Sequence, residues 1–212
     1  MPVNFQNLNY INDFLLKKKN TELLIVTKNR SFDEIQSLIN HGYKNFGENR
    51  VQEANNKFSN QILDKYKIQL HLIGPLQTNK THQAVKLFHT IQSLDRLKLA
   101  ECLAKEIEKS DRVVTKNFYI QINIGNEKQK SGININQLKG FYQSCLDLKL
   151  NVVGLMCIPP NVDDPSEYFI LMQKLKNDLN QNLLLSMGMS NDYKLAINSG
   201  TNMIRIGSKI FE

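Results

Sequence analysis

This sequence lacks most of the features that place a chain in a functional class at sight. It has only three cysteines, Cys102, Cys145 and Cys157, an odd count at wide spacing with no CxxC pair. That argues against a disulfide framework and a zinc site and for a reducing cytosol. The four histidines, His41, His71, His82 and His89, show neither HxH nor HxxxH spacing, so no metal site is expected. No apolar run approaches the length of a membrane span, and the N-terminus has no basic start followed by a hydrophobic block. No linker, repeat or low-complexity stretch divides the 212 residues, which are expected to form one domain, 1–212. The net charge of +7 is dispersed apart from the run Lys17 to Lys19, so the clustered footprint of a nucleic-acid-binding protein is missing.

What is present is a strand–helix rhythm. Eight short β-branched or apolar runs recur: LLIVTK (23–28), KNFGEN (44–49), IQLHLIG (68–74), HTIQSL (89–94), FYIQINI (118–124), NVVGLMCI (151–158), LLLSMG (183–188) and MIRIGS (203–208). Between them lie segments of helical period, clearest at 95–110, 136–149 and 165–181. Phe5, Leu8, Ile11 and Leu15 predict an amphipathic helix ahead of the first strand. Ser31 with Glu34, and Asp164 with Glu167, read as capping boxes, and Gly42 and Gly200 as helix ends. Strict alternation implies a parallel sheet, and eight strands in one domain predict a closed (β/α)8 TIM-type barrel with an extra N-terminal helix. The alternative, an open doubly wound sheet, wants a glycine-rich turn after its first strand, where this chain has Lys28-Asn29-Arg30.

Barrels carry their chemistry at the C-terminal strand ends. Here the first run ends in Lys28, on the same face as Leu24 and Val26 by alternation. A desolvated lysine is a nucleophilic amine suited to a Schiff base; a lysine snorkelling from the barrel mouth is the plainer alternative. The last run holds Arg205 between Ile204 and Ile206, so its guanidinium needs an acceptor, either a structural carboxylate or a ligand. Gly207-Ser208 follows, and run seven ends in SMGMS (186–190) before a short helix. Small residues and a helix start after strands seven and eight suit a phosphate, with Ser190 as an ordinary N-cap the alternative. An amine, an arginine and an anion nest at one barrel mouth match the aldehyde, ring nitrogen and phosphate of pyridoxal 5′-phosphate. Met156 and Cys157 stand near the end of run six, where one reading has them face the same mouth and the other, commoner for a cysteine, has a buried hydrophobe. The loop Lys130-Ser131-Gly132 reads either as a lid or as a solvated loop.

These residues resemble the pyridoxal phosphate homeostasis protein family, whose barrel is similar to the N-terminal domain of alanine racemase. The resemblance is carried by IVTKNR around Lys28, NFGENRVQEA (45–54), HLIGPLQTNK (71–80), KSGI (130–133), GLMCIP (154–159), LSMGMSNDY (185–193) and MIRIGSKIF (203–211), in order along nearly the whole chain. It implies that Lys28 carries the cofactor as a Schiff base and that Arg205 faces its ring nitrogen. It further implies that Ser190, Gly207 and Ser208 hold its phosphate and that Asn49 and His71 line the pocket. Thr27 before Lys28, Arg50 after the GEN string, Ser208 in place of threonine and the KIFE ending depart from the family pattern.

The resemblance also implies a role, intracellular cofactor homeostasis and delivery to apo-enzymes, without efficient catalysis. The residues agree, because an arginine at the ring nitrogen donates a hydrogen bond and disfavours a pyridinium, weakening the electron sink. Racemisation needs an acid and a base on opposite faces, and in the racemase the second group comes from a further domain and a partner subunit. This sequence ends four residues after Ser208, so a monomer without that group is expected. Two rivals are a weak racemase using Lys28 with Tyr193 or His71, and a cofactor-free aldolase-type lysine enzyme, which would be colourless.

Overall fold

The computed structural model describes residues 3–16, 18 and 20–211. Along these residues run α1 (Phe5–Leu16), β1 (Glu22–Val26), α2 (Phe32–Asn40), β2 (Asn45–Glu48), α3 (Val51–Lys57), α4 (Asn60–Tyr66), β3 (Gln69–Leu72), α5 (Thr81–Leu87) and β4 (Thr90–Leu94). There follow α6 (Leu97–Lys109), β5 (Asn117–Ile122), α7 (Leu138–Asp147), β6 (Val152–Cys157), α8 (Ser166–Leu179), β7 (Leu184–Ser186), α9 (Tyr193–Asn198), β8 (Met203–Ile206) and α10 (Ser208–Phe211). All neighbouring strands pair in parallel in chain order, and β1 closes on β8 with Leu24 opposite Arg205. The expected (β/α)8 barrel with an added N-terminal helix is therefore the fold, and closure removes the open-sheet alternative. No helix of the described residues is long and apolar enough to cross a membrane. Lys17 and Lys19 of the basic run lie outside the described residues.

Local chemistry explains several helix ends. Ser31 accepts from the Glu34 amide while the Glu34 carboxylate accepts from Ser31, a complete capping box that starts α2. Gly42 and Gly200 follow α2 and α9 at φ +88° and +81°, the left-handed region where a Cβ is costly. At α8 the expected box is absent. Pro165 occupies the cap, and Asp164 accepts from the Ser166 amide instead, a reach of two residues rather than three.

Two buried compartments result. The outward strand residues, among them Ile25, Phe46, Leu70, Ile91, Ile120, Leu155 and Ile204, pack with helix residues such as Ile35, Leu63, Leu103 and Phe169 into one apolar core. Each large aliphatic group so buried contributes roughly 1.5–3 kcal/mol. The inward residues are different. Gln92 of β4 reaches Ser186 of β7 and Met203 of β8, strands on the far side of the barrel, so these side chains point into the lumen. His71, Gln92, Gln121, Ser186 and Arg205 are all buried, giving the lumen polar content where a barrel more often stacks branched aliphatics.

Candidate functional site

A cavity of about 670 Å³ opens at the C-terminal ends of the strands. Its size is that of a small-molecule site. Six of the residues expected from the sequence to hold the cofactor line it together: Lys28, Asn49, Ser190, Arg205, Gly207 and Ser208. Most lie one or two positions beyond a strand, because seven of the eight strands stop short of the apolar runs read in the sequence and only β4 reaches the end of its run. The overhang forms the mouth.

Lys28 illustrates this. β1 ends at Val26, the Thr27 amide still donates to Gly47 O, and the Arg30 amide then donates to Thr27 O, closing a turn around Lys28 and Asn29. Asn29 takes φ 60°, the positive value that such a turn needs at its third residue and that asparagine tolerates. Strand alternation therefore no longer governs Lys28. The expectation of a desolvated lysine on the inner strand face is corrected: Lys28 stands exposed on a turn at the cavity rim.

Arg205 is buried at 4% exposure. One terminal nitrogen donates to Ser186 Oγ at 2.9 Å and the other to Cys157 O at 2.8 Å. Among the described residues it has no carboxylate partner, so the structural ion pair that was the plain alternative is not what holds it. Burial lowers its pKa from the ordinary arginine value. The guanidinium has five N–H groups and two are used here, so donors remain for whatever enters the cavity.

The hydrogen bonds continue in one direction. Ser186 Oγ donates to Gln92 Oε1 at 2.6 Å, and Gln92 Nε2 lies 2.9 Å from His71 Nδ1. His71 is 7% exposed, and burial pulls its pKa down to about 3, with His89 adding to the effect. A neutral ring can accept from Gln92, which satisfies the amide at both ends. His71 thus sits beneath the cavity rather than on its wall, and so does Met156, which is fully buried. Gln92 went unread in the sequence, and Ser186 was read only as part of the SMGMS loop (186–190) and not as a partner of Arg205. The one signal for either role was a polar residue at the inward parity of its run, and in HTIQSL it is masked by the neighbouring Thr90 and Ser93.

At the rim between β7 and β8, Ser208 Oγ donates to Ser190 Oγ at 2.9 Å. Ser190 is not an N-cap: α9 starts at Tyr193, its cap is Asp192, and Asp192 accepts from the Met189 amide at 2.5 Å. Among the described residues the amides of Ser190, Asn191, Gly207 and Ser208 donate to no protein acceptor. Two hydroxyls and unpaired N–H groups on adjacent loops form a nest for an anion.

The remaining walls come from loops. The Cβ of any residue at 74 would fall 2.2 Å from Asn49 O, so Gly74 is what lets the β2 and β3 ends meet. Lys130 lines the opposite wall, donating to Pro159 O at 3.0 Å and pairing with Glu127, so its loop is docked rather than freely solvated. Cys157 is a buried group whose thiol is pushed up to about 12 by burial, with nearby Arg205 pulling the other way. Tyr193 is packed edge-on to Phe14 at 6.1 Å and is 2% exposed, away from the cavity.

The sequence profile of the family described as "Alanine racemase, N-terminal domain" matches residues 5–212. The pyridoxal phosphate homeostasis protein of Aquifex aeolicus is 35% identical over 199 residues, 90% of this chain and 86% of that one. Among solved structures, PipY of Synechococcus elongatus PCC7942 superposes with a TM-score of 0.88 without PLP and 0.85 with PLP bound, at 30% and 29% identity, covering 98% of this chain and 99% of that one. Alanine racemase of Corynebacterium glutamicum shares the fold at 14% identity and TM-score 0.67, with 61% of its chain covered.

Proposed function

The chain belongs to the alanine racemase N-terminal domain family, among its pyridoxal phosphate homeostasis proteins, and from that premise we propose that it holds pyridoxal 5′-phosphate as a Schiff base on Lys28. It acts in cofactor homeostasis and delivery rather than as an enzyme. It works as one barrel domain, 1–212, a cytosolic monomer that passes vitamin B6 to apo-enzymes.

The observation that carries this reading is the convergence at one cavity of an exposed amine, a buried arginine without a carboxylate, and a rim of unpaired amides. These residues fit the group. Pyridoxal phosphate supplies an aldehyde that condenses reversibly with a primary amine, releasing water. Lys28 provides the amine, once it gives up a proton. Ser190, Ser208 and the Gly207 and Ser208 amides take the phosphate. Arg205 donates to the ring nitrogen and, as a permanent cation, keeps that nitrogen from gaining a proton. Asn49 lines the wall beside Lys28. His71 and Met156 act from below the cavity, His71 through Gln92 and Ser186 to Arg205, rather than by touching the cofactor.

The position of Lys28 supports delivery. A Schiff base at an exposed rim is open to attack by an incoming amine, which would carry the cofactor away by exchange. The two candidates for a second racemase base, His71 and Tyr193, both lie off the cavity, which favours carriage over turnover. Three free cysteines, two of them buried, accord with a reducing compartment.

The test is a visible spectrum of the purified protein before and after borohydride, followed by peptide mapping. The expected result is a yellow protein whose reduced adduct maps to the peptide containing Lys28, and a colourless Lys28→Ala variant. An adduct on another lysine, or none, overturns the reading. A panel of L-amino acids incubated with the holoprotein should keep its chirality at the rate set by free cofactor.

A further inference from the structure

Behind the Lys28 turn lies a buried ionic cluster that cofactor contacts do not explain. Glu48 ends β2 with no exposed surface, and Lys57 returns from the last turn of α3 with its side chain 4% exposed. Lys57 Nζ lies 2.6 Å from Glu48 Oε1 and 2.6 Å from Thr27 O. Thr27 Oγ1 donates to the same carboxylate oxygen at 2.6 Å. One turn of helix earlier, Glu53 accepts from the Asn29 amide and reaches Lys57 at 3.4 Å.

The arrangement has a specific geometric meaning. Thr27 C=O belongs to the peptide group before Lys28, and Asn29 N–H to the peptide group after it. Side chains of α3 grip both, Lys57 the first and Glu53 the second. The backbone dihedrals of Lys28 are thus held from both sides while its side chain stays free at the cavity rim. Stability alone is a poor reason for such a cluster. Replacing a buried ion pair by apolar groups is often neutral or better, and Glu48 Oε2 is buried without a partner.

We propose that Glu53 and Lys57, with Glu48 and Thr27 orienting Lys57, are positioning residues that aim the Lys28 amine at the cavity. This rests on the reading of Lys28 as the Schiff-base lysine. The consequence is selective: the grip matters to a ligand that must bond covalently to Lys28 and not to one held by phosphate and ring contacts alone.

The experiment compares binding of pyridoxal 5′-phosphate with binding of pyridoxine 5′-phosphate, which has an alcohol in place of the aldehyde. Full-length wild type, Glu53→Ala, Glu53→Gln and Lys57→Met are titrated with both. Glu53→Ala and Lys57→Met should weaken apparent affinity for pyridoxal phosphate about tenfold, the scale of a modest misplacement of a reacting group. Affinity for pyridoxine phosphate should stay near wild type. Glu53→Gln keeps an oxygen acceptor for the Asn29 amide and should restore pyridoxal phosphate binding. Equal weakening of both ligands would mark the cluster as merely structural and overturn the proposal, as would unchanged pyridoxal phosphate binding in Glu53→Ala. Glu53 is part-exposed, so that variant decides the matter even where Lys57→Met does not fold. If wild type itself gives no adduct at Lys28, the functional reading falls, and the positioning role with it.

Discussion

Among the described residues Lys57 and Arg205 are the two buried cations of this barrel, and they are housed in opposite ways. Lys57 has a carboxylate at 2.6 Å and a backbone carbonyl at the same distance, and it lies off the cavity. Arg205 has a hydroxyl and a carbonyl, no carboxylate among the described residues, and the cavity on its open side. The first site is closed, and its cation is answered within the chain. The second is answered in part, and it lines the cavity with donors to spare. A buried charge left partly unpaired costs stability, so its presence at a cavity marks a place where binding, rather than folding, completes the electrostatics.

Breaking the closed pair should give the largest effect. Glu48→Ala leaves the buried Lys57 with only the part-exposed Glu53, at 3.4 Å, as counter-charge and should cost about 3 kcal/mol in urea unfolding, with or without cofactor present. A loss below 1 kcal/mol would show that water already reaches the pair. The open site should respond less in stability and more in binding. Arg205→Met removes a cation but leaves only the Ser186 hydroxyl and the Cys157 carbonyl to find other partners, a cost of about 1–3 kcal/mol. The same variant should lose most of its affinity for pyridoxal phosphate, measured by the absorbance of the Schiff base. If stability fell and affinity did not, the contrast between the sites would be empty.

The chain behind Arg205 can be probed by pH. The folded pKa of His71 is lowered from 6.5 to about 3, chiefly by burial. Below pH 6.5 the unfolded chain takes up a proton that the folded chain refuses. Stability supplied by the neutral ring is therefore complete above the unfolded value and declines as pH falls toward the folded one. The slope from this group approaches about 1.4 kcal/mol per pH unit. His71→Asn should flatten that part of the acid limb in urea titrations from pH 6.5 to 4.5. Smallest are the rim hydroxyls. Ser190→Ala and Ser208→Ala should each weaken cofactor retention by about 1 kcal/mol, or roughly fivefold, seen as a raised dissociation constant. Both variants binding like wild type would move the phosphate elsewhere.

The same contrast separates what could be read from the sequence and what could not. The open site was mostly legible. Lys28, Arg205, Gly207 and Ser208 stand out because each is a polar or small residue at the end of, or inside, an apolar run. The closed pair was not. Glu48 sits in NFGENRVQEA, where it looks like any acidic residue at a strand end, and Lys57 looks like a helix-surface lysine nine positions on. Nothing local shows that the two meet, since the contact depends on how α3 folds back over β2. His71 was legible as a motif residue but not as a buried one, because its depth depends on which way β3 faces.

By itself the sequence determined the strand–helix alternation, the eight-fold count and the residues at the strand ends, since periodicity and breaker residues act over a few positions of chain. Only the tertiary structure decided that Lys28 stands out on a turn, that Arg205 lacks a carboxylate, and that the lumen carries a hydrogen-bond chain from Arg205 to His71. These depend on closure of β1 onto β8, which brings strands distant in the chain to opposite sides of one lumen, where their polar side chains find partners in one another and in backbone carbonyls.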